Sequence, residues 1–282
     1  HTRCLSDWSS DVCSSDLLSN PIYFTSGITN SGSGNNWSLN INPNGLTLSN
    51  SQLALNIGTG LTYNLSGLTT GCYDVFLYLL NNVPTLYLLA WTNTSTRATS
   101  IVWNNGVRTL NGDATKLFIG TIYNQQNVGV KDFTTDTRSN PYQGFRTIHN
   151  VYNKALKTSY SGYSGTIQVS ASASYAYLYL SSIFLVVGEP TNIYINGNVS
   201  SCTFGTGQNY YQIAVSLNTS NTVNIVAPNT DMSTTYSNTQ GLHVSCSSVL
   251  SPGLWYVNLA YNSNGSTGGS YIYPAVRLEA LL

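Results

Sequence analysis

The chain has 282 residues, of which 41% are hydrophobic and only 7% are charged, and its formal net charge is zero. Because a typical soluble domain carries about 25% charged residues, the surface polarity has to come from Asn, Ser, Thr and Gly. No basic run is present, which excludes charge-driven nucleic-acid binding as a leading function. No apolar run approaches the length that spans a membrane, so we expect no membrane insertion.

The first segment, residues 1–17, resembles a translated sequencing adapter, and such a segment is left out of fold reasoning. Removing Arg3 from the ten basic residues, and Asp7, Asp11 and Asp16 from the ten acidic ones, leaves nine and seven. The remaining chain therefore carries a net charge of +2. We expect the native N-terminal part to be missing.

The rest of the sequence is dominated by alternating apolar and polar residues, which is the pattern of strands with one buried face. Before residue 66, short apolar pairs are interrupted by Ser, Asn and Gly, and beyond it the strands become longer and more aromatic. We predict a small N-terminal β section at 18–66 and a main β domain at 67–282. The runs that predict single strands most clearly are 183–187, 211–217 and 255–261.

Asn-Gly pairs between apolar runs predict β-hairpins, because both residues tolerate the positive φ angles of a type I′ turn. Asn105-Gly106 is the clearest case. Four more pairs carry the same prediction: Asn44-Gly45, Asn111-Gly112, Asn196-Gly197 and Asn264-Gly265. A helical spacing occurs in one segment, which a long strand fits about as well: Phe145, Ile148, Tyr152 and Leu156.

Catalytic arrangements are not indicated by the sequence. His149 and His243 stand in no nucleophile motif, and a structural role is favoured for both. Glycoside hydrolysis needs two carboxylates on either side of one sugar bond. Asp132 and Asp136 could supply them, or could bind Ca²⁺, but we interpret both as solvated turn residues. We therefore expect no enzyme, no cofactor and no metal site.

The native cysteines are Cys72, Cys202 and Cys246, whose wide spacing fits neither a metal site nor a disulfide scaffold. Cys202 and Cys246 either form one bridge or, as we favour, remain buried free thiols.

The 21 tyrosines allow an aromatic surface that stacks on sugar rings, although each tyrosine alone is a common strand residue. Glycosylation sequons are present at Asn36, Asn64, Asn93, Asn198, Asn218 and Asn264.

The most specific pattern runs from Trp91 to Lys154. Its elements are Thr96-Arg97-Ala98-Thr99, Gly106-Val107, Gly112-Asp113-Ala114-Thr115, Gly120-Thr121, and Arg146 followed by Asn150-Val151-Tyr152-Asn153-Lys154. Together with the strand before them, these elements resemble a C-terminal β domain of tailed-phage tail and virion structural proteins. The resemblance covers residues 73–154 and is weaker to residue 282. It departs from the family pattern at Lys116-Leu117, where paired arginines are usual, and at Ser161 to Gly165.

This resemblance implies an antiparallel β-sandwich, or jelly-roll-like, domain displayed outside the cell on a virion. It implies a homotrimer that docks on other virion proteins through the missing N-terminal part and presents a surface to a host cell-surface glycan. The alternatives are a tail-associated polysaccharide depolymerase, or a secreted bacterial adhesin or carbohydrate-binding module. The ligand-binding residues are not indicated.

The residues that carry the family pattern are expected to serve the fold. They are Trp91, Arg97, Gly112, Asp113, Gly120, Arg146, Asn150, Tyr152 and Asn153. A charged residue in a chain with so few charges is expected to pair with an opposite charge or to cap a turn inside the fold. Replacing Arg146 by Ala should therefore lower the melting temperature.

Overall fold

The fold is described from a computed structural model of the chain. The structure describes residues 28–33, 36–41, 46–50, 53–57, 61–81, 83–104, 107–125, 129–136, 143–151, 154–169, 172–178, 182–203, 211–220, 222–228, 240–263 and 269–282. The predictions for residues 1–17, Tyr152 and Asn153 lie outside the described residues.

Within these ranges the chain forms 24 strands and no helix. Accordingly, no helix in the described part has the length and hydropathy to cross a membrane. The strands are β1 Ile28–Ser33, β2 Asn36–Ile41, β3 Leu46–Asn50, β4 Leu53–Ile57, β5 Leu61–Asn64, β6 Gly71–Leu80, β7 Val83–Ala90, β8 Ile101–Asn104, β9 Val107–Leu110, β10 Asp113–Asn124, β11 Asp132–Asp136, β12 Gln143–Arg146, β13 Ile148–Asn150, β14 Leu156–Gly162, β15 Thr166–Val169, β16 Ser172–Tyr177, β17 Ile183–Val187, β18 Thr191–Thr203, β19 Tyr211–Asn218, β20 Ile225–Pro228, β21 Gln240–Leu250, β22 Gly253–Ser263, β23 Gly269–Ile272 and β24 Ala275–Leu281.

The chain divides into two compact units. The first contains the described residues up to Val130 together with Ile148–Lys154, and the second contains Lys131–Thr147 and Ala155–Leu282. The predicted boundary between 18–66 and 67–282 is a different division of the chain and stays a prediction.

The second unit is a β-sandwich. One sheet has the order β11-β12-β17-β22-β19-β20, with β16 on β22, and the other has the order β14-β24-β18-β23-β15, with β21 on β18. The apolar side chains of β17, β19 and β22 meet those of β18, β21 and β24 in one core. Two sheets packed face to face over such a core define a sandwich, so the predicted all-β fold class is confirmed. The strands predicted at 183–187, 211–217 and 255–261 are β17, β19 and part of β22.

The first unit is built on a sheet with the order β7-β6-β10-β9-β8, in which β13 also pairs with β10. Alternate side chains of a strand point to opposite faces of the sheet. On one face, Val75, Leu77 and Ile122 pack in an apolar core with residues of β5. The opposite face carries Asp74 and Thr121, which are also buried. Two smaller sheets, β1-β2-β5 and β3-β4, complete the described part of this unit.

The segment with helical spacing forms short strands. Phe145 lies in β12, Ile148 lies in β13 and Leu156 begins β14. The helical alternative is therefore wrong, and three separate strands replace the single long strand that was the other alternative. The apolar spacing arises because Phe145 and Ile148 are buried in different sheets.

The hairpin predictions have mixed outcomes. β8 and β9 pair antiparallel from Asn104 opposite Val107, which confirms a hairpin with a two-residue connection at Asn105-Gly106. β9 and β10 also form a hairpin, but only Gly112 of its turn has a positive φ, at 87°, so the turn is not type I′. Asn44-Gly45 and Asn264-Gly265 lie outside the described residues, and the described strands that flank each pair belong to different sheets.

The hairpin predicted at Asn196-Gly197 is wrong, because both residues lie inside β18. A Cβ added to Gly197 would lie 2.5 Å from Cδ1 of Leu259 and 2.9 Å from Cγ1 of Val244. Gly197 therefore allows β18 to pack closely against Leu259 of the facing sheet and against the neighbouring β21. The glycine serves close packing and not a turn.

Candidate functional site

A buried ion pair lies on the face of the first unit's main sheet opposite its apolar core. The Asp74 carboxylate accepts hydrogen bonds from Nε of Arg97 at 2.7 Å and from Nη2 at 3.1 Å. The Thr121 hydroxyl donates to the same carboxylate at 2.8 Å. Because Asp74 is only 1% exposed, this carboxylate depends on Arg97 for its charge balance.

Two aromatic rings enclose the Arg97 guanidinium. Its central carbon lies 4.7 Å from the ring centre of Trp91 and 5.3 Å from that of Phe118. Trp91 and Arg97 belong to the connection between β7 and β8, which a hydrogen bond from Thr92 N to Thr96 O closes into a turn. The ion pair and the cation–π contacts therefore hold this connection against the sheet.

The electrostatics of this cluster are unfavourable for acid–base or nucleophilic chemistry. Burial raises the pKa of the Cys72 thiol to about 12, so the thiol stays protonated. Burial, together with the nearby charges of Lys154, Arg97 and Arg108, lowers the pKa of His149 to about 3. Burial also raises the pKa of Asp74, and the hydrogen bonds and charge of Arg97 oppose that rise. The cluster is therefore suited to holding the fold.

A second ion cluster lies in the second unit, on β12 and its neighbours. Nε of Arg146 donates to the Thr158 carbonyl at 2.8 Å, and Nη2 donates to the same oxygen. Nη1 of Arg146 lies 3.6 Å from Asp132, and Nζ of Lys157 lies 3.4 Å from the other oxygen of that carboxylate. Asp132 is thus a largely buried strand residue, and its interpretation as a solvated turn residue is wrong. The side chain of Asp136 lies outside the described residues.

Asp113 stabilises the start of β10. Its carboxylate accepts hydrogen bonds from the backbone N of Thr115 at 3.1 Å and from its hydroxyl at 2.6 Å, and it pairs with Lys116. The bonds from Lys116 and Thr115 lower the pKa of Asp113. Gly112, directly before it, supplies the positive φ of the turn.

The remaining described residues of the family pattern, Gly120 and Asn150, lie on the main sheet of the first unit. Gly120 in β10 pairs with Asn150 of β13, next to the irregularity in register between Phe118 and Gly120. Asn150 is 7% exposed. The structure therefore brings Trp91, Arg97, Gly120 and Asn150 to the first unit's main sheet, whereas Arg146 belongs to the second unit. That these residues serve the fold stays a prediction, and the contacts above support it.

The cysteines do not form the bridge that the sequence left open. Cys246 lies opposite Ile195 of β18, whereas Cys202 lies opposite Gln240 of β21. Six residues of β18 lie between Ile195 and Cys202, which puts their Cα atoms roughly 20 Å apart, and a disulfide needs Cα atoms within about 7 Å. Cys72 and Cys246 are free thiols, as favoured, but Cys72 is buried whereas Cys246 is only partly buried.

A largely polar surface lies on one sheet of the second unit, on the side away from the core. In β18 the apolar Ile193, Ile195 and Val199 enter the core, so the intervening side chains point away from it. The neighbouring strands β21 and β24 alternate in the same way. The outward side chains, which we call the outer face, are Asn192, Tyr194, Asn196, Asn198, His243, Ser245, Ser247, Val249, Arg277, Glu279 and Leu281.

Strand register arranges the outer face in rows. Tyr194 lies between Ser247 of β21 and Glu279 of β24, and Asn196 lies between Ser245 and Arg277. Neighbouring strands are about 4.8 Å apart, so each row presents three side chains over about 10 Å. The rows place a tyrosine ring beside amide and hydroxyl groups that can both donate and accept hydrogen bonds.

Exposure supports the outer face as a candidate binding surface. Tyr194 is 43% exposed, although large aromatic side chains are usually buried. Sequence reasoning did not single out this face. The alternation of Asn and Tyr with Ile and Val over 192–199 was the available signal, but the predicted turn at Asn196-Gly197 interrupted it.

Four of the described carboxylates pair with cationic side chains. Asp74, Asp113, Asp132 and Glu279 each lie in an ion pair with Arg or Lys. No group of three metal-ligating side chains occurs among the described residues. These four ion-paired carboxylates lend no support to a glycosidase mechanism, and the absence of enzymatic activity stays a prediction.

Comparison with known proteins leaves the family open. No protein-family model matches the chain, and no curated protein matches it. One solved structure, from Bacillus endospore appendages described as disulfide-linked pili, is 14% identical, with a TM-score of 0.23, and the match covers 46% of this chain and 91% of that chain.

Two further solved structures come from infectious bursal disease virus. The Gx strain structure is 10% identical with a TM-score of 0.31, and the match covers 93% of this chain. The VP2 subviral particle is 8% identical with a TM-score of 0.30, and the match covers 92% of this chain. The chain spans 66% of the length of each viral chain. These distant neighbours assign neither family nor function, so the resemblance to the tailed-phage domain stays a prediction.

Proposed function

We propose that this chain is a structural module of a virion surface and that it attaches to host glycans through the outer face. The proposal rests on the sequence resemblance for the virion and on the outer face for the glycan. The low charge of the chain also favours this function. Surface amides and hydroxyls can replace their hydrogen bonds to water by hydrogen bonds to sugar hydroxyls, and few charged groups have to lose their water when a sugar binds.

The observation that carries the glycan part is the position of Tyr194. Its ring is exposed in the middle of a regular sheet face, between Ser247 and Glu279. Sugar rings present apolar C–H surfaces that stack on aromatic rings, while the Asn196 amide can bond the hydroxyl groups. A rigid sheet face holds these groups in place before binding, which reduces the entropy lost on binding.

Weak single contacts of this kind gain strength from repetition. The homotrimer that the resemblance implies would present three outer faces, and a virion would present many more. Linked binding sites raise the apparent affinity by about 100-fold or more without any new contact. We therefore propose a homotrimer that docks on other virion proteins through a part of the protein that precedes the described residues.

The test is binding of the full chain to an array of host-derived glycans. We expect Tyr194→Ala to weaken binding to the recognised glycans about tenfold, because stacking and the accompanying hydrogen bonds are lost. Val226→Ala is the matched control, since Val226 is 41% exposed on β20 of the other sheet. Both variants should melt at the temperature of the unmodified chain.

Four outcomes would redirect the proposal. Equal binding by Tyr194→Ala and the unmodified chain would exclude the outer face as the attachment surface. The absence of binding to any host-derived glycan would leave a purely architectural role. Shortened glycans after incubation would favour the depolymerase alternative, and bacterial genes beside the parent gene, without phage genes, would favour the adhesin alternative.

A further inference from the structure

Exposed apolar side chains lie side by side at one end of the outer face. Val249 of β21 lies directly opposite Asn192 of β18. The register of β18 with β24, read one residue further, places Leu281 on the other side of Asn192. Leu156 of β14 lies directly opposite Leu281. These four residues, which we call the apolar row, follow one another across four neighbouring strands.

The apolar side chains of this row are open to solvent. Val249 is 66% exposed, Leu281 50% and Leu156 67%, and Asn192 is exposed as well. Directly opposite residues of an antiparallel pair place their side chains on the same side of the sheet, so Leu156 extends the outer face. Single apolar residues on a surface are normal, whereas several neighbouring ones form a patch that favours contact with another molecule. The apolar row is therefore a candidate contact surface.

The apolar row adjoins the exposed ring of Tyr194. Tyr194 comes two residues after Asn192 in β18, so both side chains lie on the same face of the sheet, with Cα atoms roughly 7 Å apart. Val249 and Leu281 are the diagonal neighbours of Tyr194, and long side chains reach such neighbours. An aromatic ring, an amide and two branched apolar side chains therefore form one surface.

The charges of this surface favour a neutral ligand. No residue of the apolar row carries a charge. Glu279, which lies opposite Tyr194 in the next row, is paired with Arg277 at 2.7 Å. A charged ligand would lose water against the apolar side chains, and the opposite charge beside them is already paired. A neutral polar ligand loses less on the same surface.

The dimensions of this surface favour a small ligand. Two rows across four strands cover roughly 15 Å by 7 Å. A stable interface between two proteins buries about 800 Å² on each partner, which is several times this area. A sugar residue of a glycan fits the surface, whereas a second copy of the chain would need contacts well beyond it.

We propose that Tyr194 and the apolar row bind a sugar that carries an acetamido group, which is an N-acetylhexosamine residue of a glycan. The sugar ring stacks on Tyr194. The acetamido N–H and C=O exchange hydrogen bonds with the Asn192 amide, which can both donate and accept. The acetamido methyl group packs against Val249 and Leu281, on either side of Asn192, and loses its contact with water.

This assignment rests on the proposed attachment to glycans, because it uses the outer face, and it adds the class of sugar. Leu156, at the end of the row, extends the apolar surface towards the next sugar of the glycan. A sugar with a hydroxyl group in place of the acetamido group can still stack on Tyr194. It would leave the apolar row in contact with water, so it binds less tightly.

The experiment is calorimetric titration of the full chain with an N-acetylglucosamine tetramer and with a glucose tetramer of the same linkage. The two ligands differ in one substituent of each ring, which is acetamido in the first and hydroxyl in the second. We expect the N-acetylglucosamine tetramer to bind about tenfold more tightly, because a methyl group is buried and an amide hydrogen bond is formed. Tyr194→Ala should weaken binding of both tetramers.

The preference for the acetamido group should depend on the apolar row. The double variant Val249→Thr with Leu281→Thr should bind the two tetramers about equally, because hydroxyls replace the apolar contacts. Asn192→Ala should reduce the preference to about threefold. Val226→Thr, on the other sheet, is the matched control and should keep the full preference. All four positions are exposed and threonine suits strands, so the melting temperatures should not change.

The results separate this assignment from the proposed function. Equal binding of the two tetramers by the unmodified chain would overturn the assignment, and so would an unchanged preference in the double variant or in Asn192→Ala. The absence of binding to either tetramer at millimolar concentrations would overturn it too. In each case the proposed function stands if Tyr194→Ala still weakens binding to other glycans, and it falls with the assignment if Tyr194→Ala has no effect on any glycan.

A second copy of the chain is the competing occupant of the apolar row. Light scattering of the unmodified chain and of the double variant, over a range of protein concentrations, tests it. A dimer that forms in the unmodified chain and is lost in the double variant would overturn the assignment. The same particle size in both proteins, together with the expected preference, would support it.

Discussion

At the scale of single residues, the few charges of this chain matter most where they are buried. Arg146 is 8% exposed, bonds the Thr158 carbonyl with two N–H groups and lies 3.6 Å from Asp132. Its removal would leave a carbonyl without those donors and a largely buried carboxylate with Lys157 as its remaining ion-pair partner. Both consequences destabilise the folded state.

We therefore expect Arg146→Ala to lower the free energy of unfolding by about 3 kcal/mol, measured by urea denaturation. The matched control is Arg277→Ala. Arg277 also pairs with a carboxylate, at 2.7 Å, but it is 57% exposed, so its removal should cost under about 1 kcal/mol. Equal losses in the two variants would contradict the structural role of Arg146.

We predicted from the sequence that these charged residues pair inside the fold, but the sequence does not indicate which residues are their partners. Asp74 and Arg97 are 23 positions apart in the chain and meet only because the connection after β7 folds over the sheet. Asp132 was interpreted as a solvated turn residue, whereas Arg146 opposite it in the β11–β12 ladder explains its burial. Local composition carries no information on such tertiary pairs.

At the scale of strands and turns, period-two alternation predicted the elements well and Asn-Gly pairs predicted the turns unevenly. The pair at 105–106 joins β8 and β9, in which Thr109 is the one fully buried residue, and its hairpin forms as predicted. Asn196-Gly197 has the same dipeptide but lies within a strand whose alternate residues fill the sandwich core. Burial of those residues therefore outweighs the turn preference of the pair.

Substitution of Gly197 tests whether close packing, and not a turn, requires a glycine at this position. We expect Gly197→Ala to lower the free energy of unfolding by about 1–3 kcal/mol, because the new methyl group would overlap Leu259 and Val244. The matched control is Gly71→Ala in β6, where the nearest atom, of Tyr73, is 3.9 Å from the added Cβ. That variant should have unchanged or slightly higher stability.

The coupling between Gly197 and Leu259 is measurable in a double-mutant cycle. In the Leu259→Ala background, Gly197→Ala should cost less than in the unmodified chain, because the overlapping Cδ1 atom is gone. A turn at Asn196-Gly197 would give a different result, since the cost of Gly197→Ala would then not depend on Leu259.

At the scale of the whole molecule, buried titratable groups make stability depend on pH. His149 is fully buried, and its pKa falls from 6.5 to about 3 on folding, through burial and the charges of Lys154, Arg97 and Arg108. A histidine whose pKa is lower in the folded state stabilises the fold at pH values above its pKa in the unfolded state. This stabilisation is lost as the pH falls from 6.5 towards 3. Burial raises the pKa of Asp74 and Asp132, and these groups act in the opposite direction, losing their contribution as the pH rises.

We therefore expect His149 alone to make the free energy of unfolding about 2 kcal/mol lower at pH 5 than at pH 7.5. Comparison of the unmodified chain with His149→Gln isolates this effect, because Asp74 and Asp132 titrate in both proteins. His243→Gln is the control, since His243 is exposed on the outer face. If His149→Gln is too unstable to measure, the imidazole resonances of the unmodified chain give the same answer: His149 should remain neutral down to about pH 4. Titration of His149 near pH 6.5, or an unchanged pH profile in His149→Gln, would show that burial does not keep this histidine neutral.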